Sequence, residues 1–131
     1  MDKLEQAKKN FEEGIKLFQK KNFQDAQIYF EKTLEIAPNS SPTLENLSKS
    51  YLETKDYDKA EKTLKYFISL NKEDDLIAYK LLYEIFTKLN KYGDLINLTT
   101  DAINKNKFDL DVFLCHLVQV APVFALVKFQ D

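Results

Sequence analysis

The 131-residue sequence has no arginine or tryptophan, two glycines, three prolines and one cysteine. So few glycines and prolines leave few sharp turns, which disfavours a β-sandwich or barrel and favours a few long helices. The single cysteine, Cys115, cannot form an intramolecular disulfide, and the polar start of the chain, residues 1–5, lacks the apolar stretch of a secretion signal. We therefore expect a cytoplasmic protein.

The positive charges of the chain come from a single residue type. All 19 basic residues are lysines, and 21 acidic residues bring the net charge to −2. Nucleic-acid and phosphate sites rest on a basic patch and usually on the forked guanidinium of arginine, so we expect no nucleic-acid partner. With 44% hydrophobic and 31% charged residues, the composition is that of a folded protein.

Groups that could carry catalysis or bind a metal are few. The only histidine, His116, follows Cys115 directly, and neighbours on a helix point about 100° apart, so the two cannot readily share a substrate or a metal. The acidic run at residues 73–75 lacks the glycine and the alternating ligands of a calcium loop, and we expect it to cap a helix. No glycine-rich phosphate loop occurs. The sequence predicts no enzyme, no cofactor and no metal site.

An internal repeat organises the chain. A shift of 34 residues aligns small residues with small and large with large, and a second step of 35 residues continues the match. Within each unit, apolar positions recur at helical spacing in two runs, which predicts a helical hairpin. We place the helices at about residues 3–20, 23–36, 41–54, 57–70, 75–89 and 93–106. Small residues that allow close helix packing are Gly14 with Ser48 and Ala26 with Ala60.

Local residues mark the starts of these helices. Asn22 and Asp56 are suited to cap the second helix of each of the first two hairpins. Ser41 followed by Pro42 predicts an N-cap with proline at the first helical position.

These features resemble the tetratricopeptide repeat family, whose 34-residue helix-turn-helix unit has the pattern W-x2-L-G-x2-Y, A-x3-F, P. The similarity covers about residues 5–107 and fades along the chain. Lysines replace the proline in repeats two and three. In repeat three, Tyr83 occupies the position of the small residue, and Leu95 occupies that of the alanine. Matching residues are Gly14, Leu17, Ala26, Phe30 and Pro38 in repeat one, and Leu44, Leu47, Ser48, Tyr51, Ala60 and Leu64 in repeat two.

The resemblance implies an all-α fold. We expect a right-handed superhelical solenoid of three tetratricopeptide-type helical hairpins, followed by an apolar C-terminal helical tail. The repeats fall at about residues 7–40, 41–74 and 76–109, and the tail at 109–131. We interpret residues 1–131 as a single domain.

The resemblance also implies a function, since the first helices of such hairpins line a concave groove that binds another protein or a peptide. Many relatives grip a C-terminal carboxylate with a clamp of lysine, asparagine and arginine. Here the corresponding places hold Phe11, Ile15, Asn46, Ile77 and Leu81, so we expect no clamp. The candidate groove is instead apolar, with polar groups for the ligand's backbone, and comprises Lys8, Phe11, Ile15, Phe18, Asn46, Lys49 and Lys80. The alternative is that Leu4, Ala7, Phe11, Ile15 and Phe18 form an ordinary buried stripe.

The end of the chain is unusually apolar. Between Val112 and Val127 there is no Asp, Glu, Lys or Arg. Sixteen helical residues reach about 24 Å, less than a hydrocarbon core of about 30 Å, which disfavours a membrane span. Pro122 suggests two pieces, about 109–120 and 122–130.

Several destinations for this tail stay open. It could begin a fourth repeat of a longer protein, pack back on repeat three or into the groove, or associate with a second copy to form a homodimer. The residues of such an association surface would be Phe113, Leu117 and Phe124. The second functional interpretation is therefore an oligomerising or truncated structural fragment, whose tail mediates assembly or fills the groove.

Overall fold

The computed structural model describes residues 2–105, and α-helices account for most of them. No strand occurs within that range, which confirms the all-α prediction. The predicted tail lies outside the described residues. The six helices are α1 (Lys3–Gln19), α2 (Phe23–Ile36), α3 (Ser41–Glu53), α4 (Tyr57–Ser69), α5 (Leu76–Lys88) and α6 (Tyr92–Asn104).

The helices follow the predicted period. The second helices of the hairpins begin at Phe23, Tyr57 and Tyr92, which are 34 and 35 residues apart. Helix α1 is longer than the first helices of the other two hairpins, since it has 17 residues whereas α3 and α5 have 13 each. The additional turn lies at its N-terminus, before the repeat begins, where the carboxylate of Asp2 accepts a hydrogen bond from the backbone N–H of Leu4 at 3.4 Å.

Contacts divide the chain after Ala78, so we describe residues 2–78 as a first unit and 79–105 as a second unit. In the first unit, α1 packs on α2, α2 on α3 and α3 on α4. The small residues occupy the tightest places, as predicted: Ala26, Ser48 and Ala60 have no exposed surface, and Gly14 is buried. A Cβ atom on Gly14 would lie 2.5 Å from Cε1 of Phe30.

In the second unit the described part of α5 and α6 also carries buried apolar residues. Tyr79 has no exposed surface, and its hydroxyl donates to the carboxylate of Asp101 at 3.0 Å. The other deeply buried side chains of this unit are Leu82, Ile85, Phe86, Leu95 and Ala102.

Two of the predicted helix caps need correction. The N-cap position of α3 is Ser40 rather than Ser41, and the Ser40 side chain makes no capping hydrogen bond. Ser41 is buried, and its hydroxyl donates to the carboxylate of Asp74 at 3.0 Å. Asn22 stands at the N-cap of α2 without capping it, since its amide donates to the carboxylate of Asp25 at 2.8 Å. Asp56 caps α4 as predicted.

Candidate functional site

A cavity of about 390 Å³ opens in the first unit, where the start of α1, the end of α2 and the start of α3 meet. We call it the N-terminal cavity. Apolar atoms form most of its wall, and its two charged residues, Glu5 and Lys8, are exposed. The lining residues are Leu4, Glu5, Ala7, Lys8, Phe11, Thr33, Ala37, Ser40, Pro42 and Thr43.

One wall of this cavity comes from α1, including its additional turn. Residues Leu4, Ala7, Lys8 and Phe11 are spaced three or four apart, so they share one helix face. Leu4 is 74% exposed, although it borders an apolar space. Phe11 is half-buried, and its ring lies 6.0 Å from the ring of Phe30, tilted by 49°. The cavity therefore offers an accessible aliphatic side chain beside an aromatic ring held by the core.

The opposite wall comes from the end of the first hairpin and the beginning of the second. Pro42 and Thr43 stand in the first turn of α3, and Ala37 and Ser40 in the connection that precedes it. The hydroxyls of Ser40 and Thr43 lie 2.8 Å apart and bond to each other. Because these polar groups satisfy each other, this wall presents little unpaired polarity to a ligand.

The predicted groove residues on α1 have two different surroundings. Lys8 and Phe11 line the N-terminal cavity. Ile15 and Phe18, further along the helix, are half-buried. The ring of Phe18 packs edge-on against Phe23 across the hairpin turn, with ring centres 5.1 Å apart. At Phe18 the surroundings are thus those of a packed stripe, whereas at Phe11 one side of the ring faces the cavity.

The predicted polar groups lie on α3 and α5. The side-chain amide of Asn46 donates to the carbonyl oxygen of Pro42 at 2.8 Å. Lys49 lies 3.5 Å from Glu45, one turn earlier on the same helix, and both side chains are about one-third exposed. Lys80 is exposed on α5 in the second unit.

A second depression, of about 280 Å³, lies among α2, α3 and α4. Leu34, Leu44 and Tyr66 contribute to its lining together with Lys62. The hydroxyl of Tyr66 donates to the side-chain oxygen of Asn39 at 2.6 Å, so this aromatic residue already has a partner at the depression's edge. We regard the N-terminal cavity as the stronger candidate site because it is larger and more apolar.

Several residues of the N-terminal cavity are not among the groove residues that the sequence predicts. The sequence places Leu4 only in a candidate buried stripe, and the predicted groove does not include Thr33 and Ala37. A usable signal was present, because helical spacing continues back to Leu4, before the first repeat starts at about residue 7.

Within residues 2–105, no group of three or more His, Cys, Asp or Glu side chains is placed to hold a metal ion. None of the helices in that part of the chain is long and apolar enough to cross a membrane. The predicted association residues Phe113, Leu117 and Phe124 lie outside the described residues, as do Cys115 and His116.

Comparison with known proteins identifies the family. A family model described as tetratricopeptide repeat matches residues 17–84, about half of the chain. The chain therefore belongs to the tetratricopeptide repeat family, as the sequence pattern predicts. Repeats of this family are generally protein-protein interaction modules and typically form non-enzymatic scaffolds. No curated protein matches the chain.

Proposed function

We propose that the chain is an interaction module that binds an uncharged, apolar segment of another protein or peptide in the N-terminal cavity. The observation that carries this proposal is the combination of an apolar cavity of about 390 Å³ with a 74% exposed Leu4 on its wall. Covering such a side chain with an apolar partner stabilises a complex by about 1.5–3 kcal/mol.

The charges around the cavity support an uncharged anchor over an acidic one. Lys8 and Glu5 are the charged residues among those that line the cavity, and their charges are of opposite sign. In the first unit the places of the family's carboxylate clamp include Phe11 and Ile15, which cannot neutralise a carboxylate. The site is thus suited to an aliphatic or aromatic side chain.

The remaining groove residues would contact the ligand's backbone. Asn46 uses its Nδ2 to hold Pro42, which leaves the amide oxygen to accept a hydrogen bond from a ligand N–H. Lys49 would contribute a donor, and Ile15 and Phe18 would extend the apolar floor. A bound segment would then run from the cavity along α1 and α3.

The test is a selection of binding peptides from a random library displayed on phage, followed by affinity measurements. We expect the selected peptides to share an uncharged aliphatic or aromatic anchor. Leu4→Lys places a charge on the cavity wall and should weaken binding about tenfold or more, equivalent to about 1.4 kcal/mol or more.

The matched control is Ile28→Lys, the same change at another exposed aliphatic residue, 48% exposed on α2 and outside the cavity lining. It should leave the affinity unchanged. Peptides that depend on a terminal carboxylate, or that bind the Leu4→Lys protein as well as the wild type, would contradict the proposal.

A further inference from the structure

The second depression of the first unit, of about 280 Å³, combines aliphatic side chains with one cation. We call it the α4 depression, because three of its residues belong to that helix. None of the described residues that line it is acidic, so its lining carries a positive charge. The lining residues are Leu34, Pro38, Leu44, Lys62, Thr63 and Tyr66.

The charge of Lys62 is not neutralised within the fold. The ammonium group of Lys59 lies 3.8 Å from the carboxylate of Asp56, and that of Lys65 lies 3.4 Å from Glu61. Lys62, the third lysine of α4, is exposed and makes no ion pair or hydrogen bond within residues 2–105. Its ammonium group is therefore available to a carboxylate of a partner, which an opposite charge attracts.

Tyr66 is an exposed aromatic residue that the repeat does not require. The positions 34 residues before it and 35 residues after it hold Lys32 and Asp101, which are both charged. The Tyr66 hydroxyl donates to the side-chain oxygen of Asn39 at 2.6 Å, and 43% of the residue remains exposed. An aromatic side chain that is already held in place loses little entropy on binding, and such residues are enriched at interfaces.

The α4 depression and the N-terminal cavity lie on different sides of the end of α2. Thr33 and Ala37 line the cavity, whereas Leu34 and Pro38 line the depression. Successive residues of a helix point about 100° apart, which explains this alternation. Because the two sites share no lining residue, a ligand in one need not displace a ligand in the other.

From these observations we infer that the α4 depression binds an acidic segment of another protein, in which an aliphatic or aromatic side chain stands next to an aspartate or glutamate. The apolar side chain covers Leu34 and Tyr66, and the carboxylate pairs with Lys62. This site is additional to the N-terminal cavity, which takes an uncharged segment. Because the depression is small and exposed ion pairs contribute little, a short peptide should bind with a dissociation constant of about 1 mM, too weakly for selection from a displayed library.

A titration followed by NMR of the full-length, nitrogen-15-labelled protein tests the site. The probe is the peptide Gly-Phe-Glu-Ser-Gly with both ends capped, so that its only carboxylate is the glutamate side chain. We expect the amide signals of Leu34, Thr63 and Tyr66 to shift. The same peptide with glutamine for glutamate should bind about threefold more weakly, and alanine for phenylalanine should also weaken binding. Signals of Ala7 report the N-terminal cavity separately, so either site can fail without the other.

Reversal of the charge at Lys62 gives the sharpest test. Lys62→Glu removes no contact of the fold, and it should make the protein prefer the peptide with lysine in place of glutamate. The matched control is Lys9→Glu, the same change at an exposed lysine of α1 outside the lining, which should keep the preference for glutamate.

Three results would overturn the inference. The first is the absence of shifts at Leu34, Thr63 and Tyr66 at about 10 mM peptide, well above the expected dissociation constant. The second is equal binding of the glutamate and glutamine peptides. The third is an unchanged preference for glutamate in the Lys62→Glu protein.

Discussion

At the scale of single residues, the closest approach within the first hairpin depends on Gly14. A Cβ atom at this position would lie 2.5 Å from Cε1 and 2.7 Å from Cδ1 of Phe30. Real Cβ atoms do not approach other atoms so closely, and the Phe30 ring has no exposed surface into which it could move. The glycine is therefore required by packing and not by backbone conformation, since it lies inside α1.

We predict that Gly14→Ala destabilises the protein. Overpacking a filled core costs about 1–3 kcal/mol, whereas replacing glycine by alanine inside a helix gains about 1 kcal/mol. The net change should be a lower free energy of unfolding, measured by urea titration followed by circular dichroism.

Gly93 provides the matched control. It lies in α6, and a Cβ atom there would meet nothing within 4 Å. Gly93→Ala should thus keep the gain in helix propensity without the clash, and raise the free energy of unfolding slightly. If both substitutions stabilised the protein equally, the Phe30 ring could move aside without loss of stability, and the packing explanation for Gly14 would be wrong.

At the scale of the elements, the three hairpin turns share one backbone conformation. Lys21, Lys55 and Asn90 have positive φ angles of 63°, 60° and 58°. In the first turn the N–H of Asn22 donates to the carbonyl oxygen of Leu17 at 2.8 Å. The N–H of Lys21 donates to the carbonyl oxygen of Phe18 at 2.9 Å. This pair of bonds is a Schellman motif, in which glycine is the usual left-handed residue.

We predict that Lys21→Gly stabilises the protein by about 0.5–1 kcal/mol. A left-handed conformation costs a residue with a side chain about 1–2 kcal/mol, and the greater entropy of glycine in the unfolded chain offsets about 0.5–1 kcal/mol of the gain. Thermal and urea unfolding would measure the change. Lys9→Gly, an exposed lysine inside α1, is the control and should destabilise by about 1 kcal/mol; destabilisation by both would refute the strain argument.

The helices could be predicted from the sequence because one period specifies them repeatedly. Alignment of Ala26 with Ala60, and of Phe23 with Tyr57, located two hairpins from the same pattern, and both alanines prove to be fully buried. Predicted helix ends lie within a residue or two of those in the structure. Repetition reduces error, since a boundary that is ambiguous in one copy is clearer in the next.

Features that the pattern of apolar and small residues does not specify could not be predicted in this way. The additional turn of α1 has no counterpart in the other hairpins, so the period could not indicate that Leu4 would border a cavity. The Ser41 hydroxyl bonds Asp74, 33 residues away, and no local rule distinguishes this contact from helix capping. Lys21 was likewise not expected in a left-handed conformation, because lysine has no preference for it.

At the scale of the whole molecule, stacking of neighbouring hairpins is seen in the first unit, where α2 packs on α3 and side-chain hydrogen bonds join the two helices. The Gln27 amide donates to the carbonyl of Ser50 at 3.1 Å and to the hydroxyl of Thr54 at 3.0 Å. The Tyr51 hydroxyl donates to the carboxylate of Glu31 at 2.5 Å. Each bond spans two hairpins, so each contributes to the interface between neighbours that stabilises a repeat protein.

The Tyr51 bond makes this interface sensitive to alkaline pH. Burial raises the pKa of the Tyr51 hydroxyl, and the hydrogen bond and negative charge of Glu31 raise it further. In the unfolded chain a tyrosine ionises near pH 10. Below that pH the contribution of Tyr51 to stability is fully present. As the pH rises above it, the unfolded state gains by ionising while the folded state stays protonated, so stability falls.

We predict that Tyr51→Phe lowers the free energy of unfolding by about 1 kcal/mol near neutral pH, through loss of the bond to Glu31. The difference from the wild type should shrink as the pH rises above about 10, because only the wild type can ionise at this position when it unfolds. Urea titrations over this pH range measure both effects. Tyr29→Phe is the control, since the Tyr29 hydroxyl makes no hydrogen bond within residues 2–105, and near neutral pH it should change stability little. If the Tyr51→Phe difference were instead constant or growing with pH, Glu31 and burial would not govern the ionisation of Tyr51.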